Sequence, residues 1–111
     1  DADTVPLLVL DEIDAEVGGR LGGAIGRVLK EVAASHQVIC VTHLPQVAAF
    51  GDGQVVVEKG VEKGRTFARV RGVTGRERDR ELAAMSRGDE PGEGEIRRAR
   101  RLRREAGGES A

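Results

Sequence analysis

Apolar and polar positions change their spacing several times along this chain, and the changes mark out its elements. Val5 to Leu10 (VPLLVL) is an unbroken apolar run whose length and flanks predict a strand buried on both faces. Pro6 is tolerable so near the start of a strand. Asp11 to Gly19 is polar and ends in glycine, which predicts a loop. From about Arg20 to Ser35 the apolar residues Leu21, Ala24, Ile25, Val28, Leu29 and Val32 recur in steps of three and four, the signature of a helix with one buried stripe. Gly22, Gly23 and Gly26 each weaken that helix by about 1 kcal/mol relative to Ala, a cost that packing against a sheet is expected to offset. Gln37 to Thr42 (QVICVT) predicts a second buried strand. Strand, helix and strand make a βαβ unit, which normally holds two parallel strands joined by a right-handed crossover. Pro45 suits the first turn of a short helix running to Phe50.

Beyond it, Gln54 to Lys59 and Thr66 to Val73 predict two further strands joined through Gly60 and Gly64. Phe67, Val70 and Val73 are three apart, so the pattern leaves the register of the second strand open. Glu77 to Ser86 predicts a short helix carrying Leu82, Ala83 and Met85, and Gly88 to Gly94 a polar linker. Glu95 to Ala106 predicts a last helix, with Ile96, Ala99 and Leu102 three apart. Gly107 to Ala111 are expected to fray. No internal repeat is visible.

Length and composition narrow the classes. The 111 residues suffice for one small domain with a modest core. The chain starts at Asp1 without an initiator Met, and a strand candidate begins four residues later, as expected of a piece of a longer protein. Eighteen basic residues against 19 acidic ones leave no net pull toward a polyanion. Most of the cations are arginines; only Lys30, Lys59 and Lys63 are lysines. Phe50 and Phe67 are the only aromatics, which argues against a base-stacking surface for single strands. The lone Cys40, inside an apolar run, reads as a small buried hydrophobe, and the absence of any possible intrachain disulfide fits a reducing cytoplasm. No apolar stretch approaches the roughly 20 residues of a membrane span, so no membrane partner is expected.

Candidate chemistry sits at two strand ends. Leu7-Leu8-Val9-Leu10-Asp11-Glu12, four apolar residues and then two acids, has the form of a Walker B motif. Open α/β folds bind ligands at the carboxyl edge of a parallel sheet. An acid there reaches a Mg²⁺ ion held by nucleotide phosphates, and Mg²⁺ keeps several waters, so one carboxylate suffices. Asp11 is the candidate metal residue. Glu12, the adjacent acid, is the candidate general base that orients or deprotonates the attacking water. An ordinary strand end meeting a solvated turn produces the same pattern. The second strand weighs against that plainer reading: Val38-Ile39-Cys40-Val41-Thr42-His43 places an imidazole just past its own carboxyl end. Neighbouring strands lie about 4.8 Å apart, so His43 can stand beside the acids and donate a hydrogen bond to a γ-phosphate. His36, at the end of the first helix, reads as structural, favoured there by the helix dipole.

At this point the residues resemble a family. VPLLVLDEIDAEVGG is similar to the Walker B and D-loop segments of ABC-type ATPases. The form Asp11-Glu12-Ile13-Asp14-Ala15, without the Pro-Thr that follows the acids in most transporter ATPases, is closer to the SMC-like branch. Val17-Gly18-Gly19 and the run Gln37 to Ala49, above all His43-Leu44-Pro45-Gln46-Val47-Ala48-Ala49, resemble the RecN family within that branch. The hairpin beginning Val55-Val56-Val57-Glu58-Lys59 and the segment Arg78 to Met85 (RDRELAAM) are similar to the C-terminal end of that family. The resemblance implies an α/β fold: a partial P-loop NTPase, the ABC ATPase head, with a βαβ unit, a C-terminal β-hairpin and terminal helices. It divides the chain into residues 1–87, the C-terminal part of the head, and 88–111, a polar linker and Arg-rich tail helix. It also makes Asp11 the Walker B metal acid, Glu12 the catalytic glutamate and His43 the switch histidine that senses the γ-phosphate. Asp14 becomes the D-loop acid, which contacts the facing subunit across the nucleotide. Gln46 matches the motif without a chemical role to assign. Glu16 departs from the small residue usual there, which puts the fine geometry of the D-loop in question. The implied cofactors are ATP and Mg²⁺. The implied partners are a second head in a head-to-head homodimer and DNA, direct or indirect, in the cytoplasm at the nucleoid.

The family's phosphate loop, signature loop and long heptad segment do not occur in this sequence. The 111 residues alone are therefore expected neither to bind nor to hydrolyse ATP appreciably, and to be poorly stable with open sheet edges. Two rivals accompany the leading reading, an ATPase head in recombinational repair of double-strand breaks. One is the head of another SMC-like protein or of a transporter. The other is a non-enzymatic nucleic-acid-binding module using Arg97, Arg98, Arg100, Arg101, Arg103 and Arg104, six cations that on a helix can meet phosphates or simply form a solvated face.

Overall fold

A computed structural model describes residues 6–11, 19–87 and 90–107. Its elements in chain order are β1 (Leu7–Asp11), α1 (Gly19–Val32), β2 (Gln37–Val41), α2 (Pro45–Ala48), β3 (Gln54–Glu62), β4 (Arg65–Val73), α3 (Gly75–Arg87) and α4 (Glu93–Ala106). The class is α/β, with one parallel and one antiparallel pair of strands among the described residues. Val5, the loop positions 12–18, positions 88–89 of the linker and the terminal positions 108–111 lie outside those residues.

The strands β1 and β2 are parallel neighbours, paired from Leu7↔Gln37 to Asp11↔Val41. The Gln37 N–H also donates to the Pro6 carbonyl at 2.9 Å, which carries the ladder one step further. Both runs were expected to be buried on both faces, and within this chain they are not. Leu10, Val38 and Cys40 are half-buried, but Leu7 (59% exposed), Val9 (61%), Ile39 (48%) and Val41 (50%) share an uncovered face. An unbroken apolar run reports that both faces of a strand are apolar; no described element lies over the second one.

Helix α1 uses a different face from the predicted stripe. Leu21, Ala24 and Val28 are exposed, whereas Gly22 and Gly26 are buried and Ile25, Leu29 and Val32 half-buried. The two glycines form a shallow groove for the segment that follows β2. A β-carbon on Gly22 would stand 3.1 Å from Cβ of Gln46, 3.5 Å from Cδ1 of Leu44 and 3.6 Å from Cγ2 of Val47. The partner that offsets the glycines is thus α2 with Phe50. At the other end of α1 the imidazole Nδ1 of His36 lies 2.9 Å from Oγ of Ser35 and 3.3 Å from the Val32 carbonyl, a local capping role as expected.

The core lies on the far side of α2. It gathers Ala49, Leu82, Ala83, Ile96, Ala99 and Ala106, flanked by Ala48, Phe50, Met85 and Leu102. Leu82 is fully enclosed. On α3 the buried positions are Arg78, Asp79, Leu82 and Ala83, so two charged residues share the apolar stripe. Arg78 crosses to α2: its Nη2 donates to the carbonyls of Ala48 (3.2 Å) and Gly51 (2.7 Å), and its Nε to Oε1 of Gln54 (3.2 Å). These bonds tie α3 to the end of α2 and the turn after it, where the Ala48 carbonyl also accepts the Gly51 N–H at 3.1 Å.

The β3–β4 hairpin turns at Lys63-Gly64, between the paired Glu62 and Arg65. Both turn residues have positive φ, 52° and 77°, the requirement of a type I′ turn. Gly60, expected in the connection, lies inside β3 opposite Phe67, whose Cζ would stand 2.7 Å from a β-carbon there. The register question also resolves. Phe67 and Val73 share a face and Val70 takes the other, 72% exposed. Arg71 ties the hairpin to α3 through Glu58 on β3 (Nη2 to Oε1 3.0 Å) and Glu77 and Glu81 on α3 (2.6 and 3.2 Å). Its pKa is raised, first by the Glu58 hydrogen bond and then by Glu81.

Candidate functional site

The adjacency of β1 and β2 puts the carboxyl ends of both strands on one rim. Asp11 is the last residue of β1 and is paired with Val41, the last residue of β2. His43 follows Val41 by two positions, so Asp11 and His43 emerge at the same edge, and both are exposed. Glu12 and Asp14, together with Glu16, lie outside the described residues. Of the four candidate site residues the structure thus locates two, and brings those two to one edge.

What holds His43 there is visible in the backbone. Thr42 follows the strand, and its Oγ1 accepts a hydrogen bond from the Leu44 N–H at 3.0 Å. Leu44 takes an extended conformation at the N-cap, and Pro45, pre-set for a first helical turn, starts α2. Val47 and Ala49 are buried at 4% and 3% exposure, and Gly22 receives the near side of the turn. His43 is therefore anchored on both sides, by β2 before it and by a packed α2 after it. The C-terminal end of α2 is held in turn by Arg78, whose pKa burial lowers first and the nearby Arg103 second.

Several of these supports were not foreseen. Arg78 lies in a segment whose apolar positions alone mark a helix, and nothing in its neighbours signals a buried guanidinium. Gly22 and Gly26 were visible as a pair one turn apart, which is the available signal for a close helix contact. Gln46 sits against Gly22, and its Oε1 is buried and accepts no hydrogen bond among the described residues. Among the described residues no group of three His, Cys, Asp or Glu side chains is placed to hold a metal ion. A single exposed carboxylate at a strand end does fit Mg²⁺, which takes oxygen ligands and retains waters. No described helix is long and apolar enough to cross a membrane.

Comparison with known proteins agrees with the motifs. No family model matches the chain. The DNA repair protein RecN of Streptomyces coelicolor is 50% identical over 91 residues, 82% of this chain and 16% of that protein. RecN of Deinococcus radiodurans is 47% identical over 79% of the chain, and RecN of Bacillus subtilis 36% identical over 92% of it. The chain spans only 15 to 18% of the length of these curated relatives. A solved structure described as the structural biochemistry of ATP-driven dimerization and DNA-stimulated activation of SMC ATPases has a similar backbone. Its TM-score is 0.59 at 18% identity, over 77% of this chain and 50% of that one. By sequence the chain is a homologue of part of the RecN proteins, and its fold is similar to part of that SMC ATPase structure.

Proposed function

We propose that these residues form the C-terminal part of the ATP-hydrolysing head of a RecN-like protein that acts in repair of DNA double-strand breaks by recombination. The observation that carries this is the parallel, in-register pairing of β1 with β2, which sets Asp11 and His43 on one rim. Asp11 would hold Mg²⁺, and the bound ion would offset the negative charge on the β- and γ-phosphates of ATP. Glu12, next in the chain, would orient or deprotonate the attacking water. His43 would donate a hydrogen bond to the γ-phosphate from the neighbouring strand. Asp14, two residues past Glu12, would meet the facing head, so the working unit is a head-to-head homodimer. DNA is its partner, and the nucleoid its place in the cytoplasm. On this reading residues 1–87 are head and 88–111 are linker and Arg-rich helix.

Phosphoryl transfer depends on positioning by every part of the site. The sequence holds no phosphate loop or signature loop, so the 111 residues alone would turn over no ATP. The test uses the complete protein with Glu12→Gln. Nucleotide binding should survive while hydrolysis falls by two orders of magnitude or more, the scale on which a general base acts. Unchanged turnover would remove Glu12 from its role.

A further inference from the structure

The structure sets Arg103 apart from the other five arginines of α4. Arg103 faces α3, where its Nε donates to Oδ1 of Asp79 at 2.7 Å and its Nη2 to Oδ2 at 3.3 Å. It stands on the same side as the buried Ile96, Ala99 and Ala106. With about 100° of rotation per residue, Arg97, Arg100, Arg101 and Arg104 fall within an arc of roughly 100° that begins beside Ile96 and turns away from the stripe, and Arg98 lies about 60° beyond its far end. Arg97, Arg100 and Arg101 are exposed and Arg104 half-buried. None of these four has an ion-pair partner among the described residues. Of the acids on α4, Glu93 lies within the arc and is engaged by Arg76, Glu105 borders it as an exposed residue four positions after Arg101, and Glu95 stands on the other side of the helix. One stripe therefore docks the helix, and a separate cationic face is held outward by it.

We propose that this face of α4 binds the phosphate backbone of duplex DNA without reading base sequence. The cations of α4 are all arginine, whose planar fork matches phosphate oxygens two at a time. Arg97, Arg101 and Arg104 follow one another at about 6 and 4.5 Å along the helix axis. A duplex presents one phosphate per roughly 1.7 Å of its length, so each arginine finds a partner without any particular register. A membrane surface is the poorer fit. An interfacial helix must turn its apolar side to the lipid, and here Ile96 (5% exposed), Ala99 (7%) and Ala106 (8%) are covered by the protein. The face has no aromatic residue on which to stack bases. The choice of duplex DNA over other polyanions rests on the proposed repair function; the cationic face itself does not.

The experiment compares the complete protein with two variants, in which Arg97, Arg100, Arg101 and Arg104 are all changed to Gln or all to Lys. Binding to two unrelated 30-base-pair duplexes is followed over a salt series without nucleotide. Each phosphate contact contributes a slope of about −0.9 in log K against log salt, so the Gln variant should lose about 3.6 of the wild-type slope. The loss should be equal on both duplexes, and the Lys variant should keep the slope. Melting temperatures of both variants should stay near wild type, because none of the four residues lies on the docking stripe. An unchanged slope in the Gln variant overturns the proposal. So does a greater loss of binding to anionic vesicles or to polyglutamate than to DNA. Because nucleotide is absent, the helix can fail this test while Glu12 passes its own, and the reverse.

Discussion

The ring of Phe50 occupies the space a side chain at Gly26 would need: a β-carbon there would stand 2.7 Å from ring Cε2 and 2.9 Å from Cγ. With Gly22 one turn earlier, the absence of side chains lets α1 accept α2, the helix that follows His43. Gly26→Ala would gain about 1 kcal/mol of helix propensity but would overpack the contact at a cost of about 1–3 kcal/mol. The expected outcome is a net loss of about 1 kcal/mol. Gly23 is the control, since its nearest neighbour is Nη1 of the flexible Arg27 at 4.0 Å. Gly23→Ala should gain up to about 1 kcal/mol. Denaturant midpoints of the two variants should move in opposite directions, and movement in the same direction would refute the close-contact account.

The hairpin turn gives a second pair of opposed effects. Lys63, at φ 52°, and Gly64, at φ 77°, both occupy the left-handed region. Lysine has no local compensation there, whereas asparagine tolerates that conformation. Lys63→Asn should stabilise the hairpin by a few tenths of a kcal/mol, and Gly64→Ala should cost about 1 kcal/mol. Proteolysis of the hairpin under native conditions reports both, slowing in the first variant and quickening in the second.

Much of this architecture was legible because period and punctuation agreed. The βαβ unit, the hairpin and α4 follow from apolar spacing, and Pro45 marked the start of α2. The rim that carries Asp11 and His43 was legible for the same reason, as two apolar runs each ending in a polar group. Burial was not. Leu7, Val9, Ile39 and Val41 read as core, yet their shared face is uncovered, because an apolar run records that a face is apolar and not what lies over it. The glycines of α1 read as weakness in a helix, since propensity scales score a residue alone and Gly22 and Gly26 matter only through Phe50 and Gln46. Arg78 and Asp79 were hidden for a related reason. Charged residues default to the surface, and only tertiary partners, Ala48, Gly51 and Gln54 for Arg78 and Arg103 for Asp79, make their burial tolerable.

Asp79 and Arg103 yield the last prediction. Asp79 is only 3% exposed, and its carboxylate takes two hydrogen bonds from Arg103, whose side chain is 30% exposed. Breaking a buried pair by removing one partner costs about 3–5 kcal/mol, because the other charge is left without compensation. Arg103→Met strands the better-buried member, so a loss of about 3 kcal/mol is expected, moderated by the water that reaches Arg103's side of the pair. Asp79→Leu leaves Arg103 in reach of solvent but also takes the carboxylate away from the buried Arg78, so a loss of similar size is expected. Combining the two replaces the pair with apolar groups and should recover much of the stability, since such replacements are often neutral. A double-mutant cycle on chemical denaturation measures this directly. Additive losses would show that the two groups are not coupled.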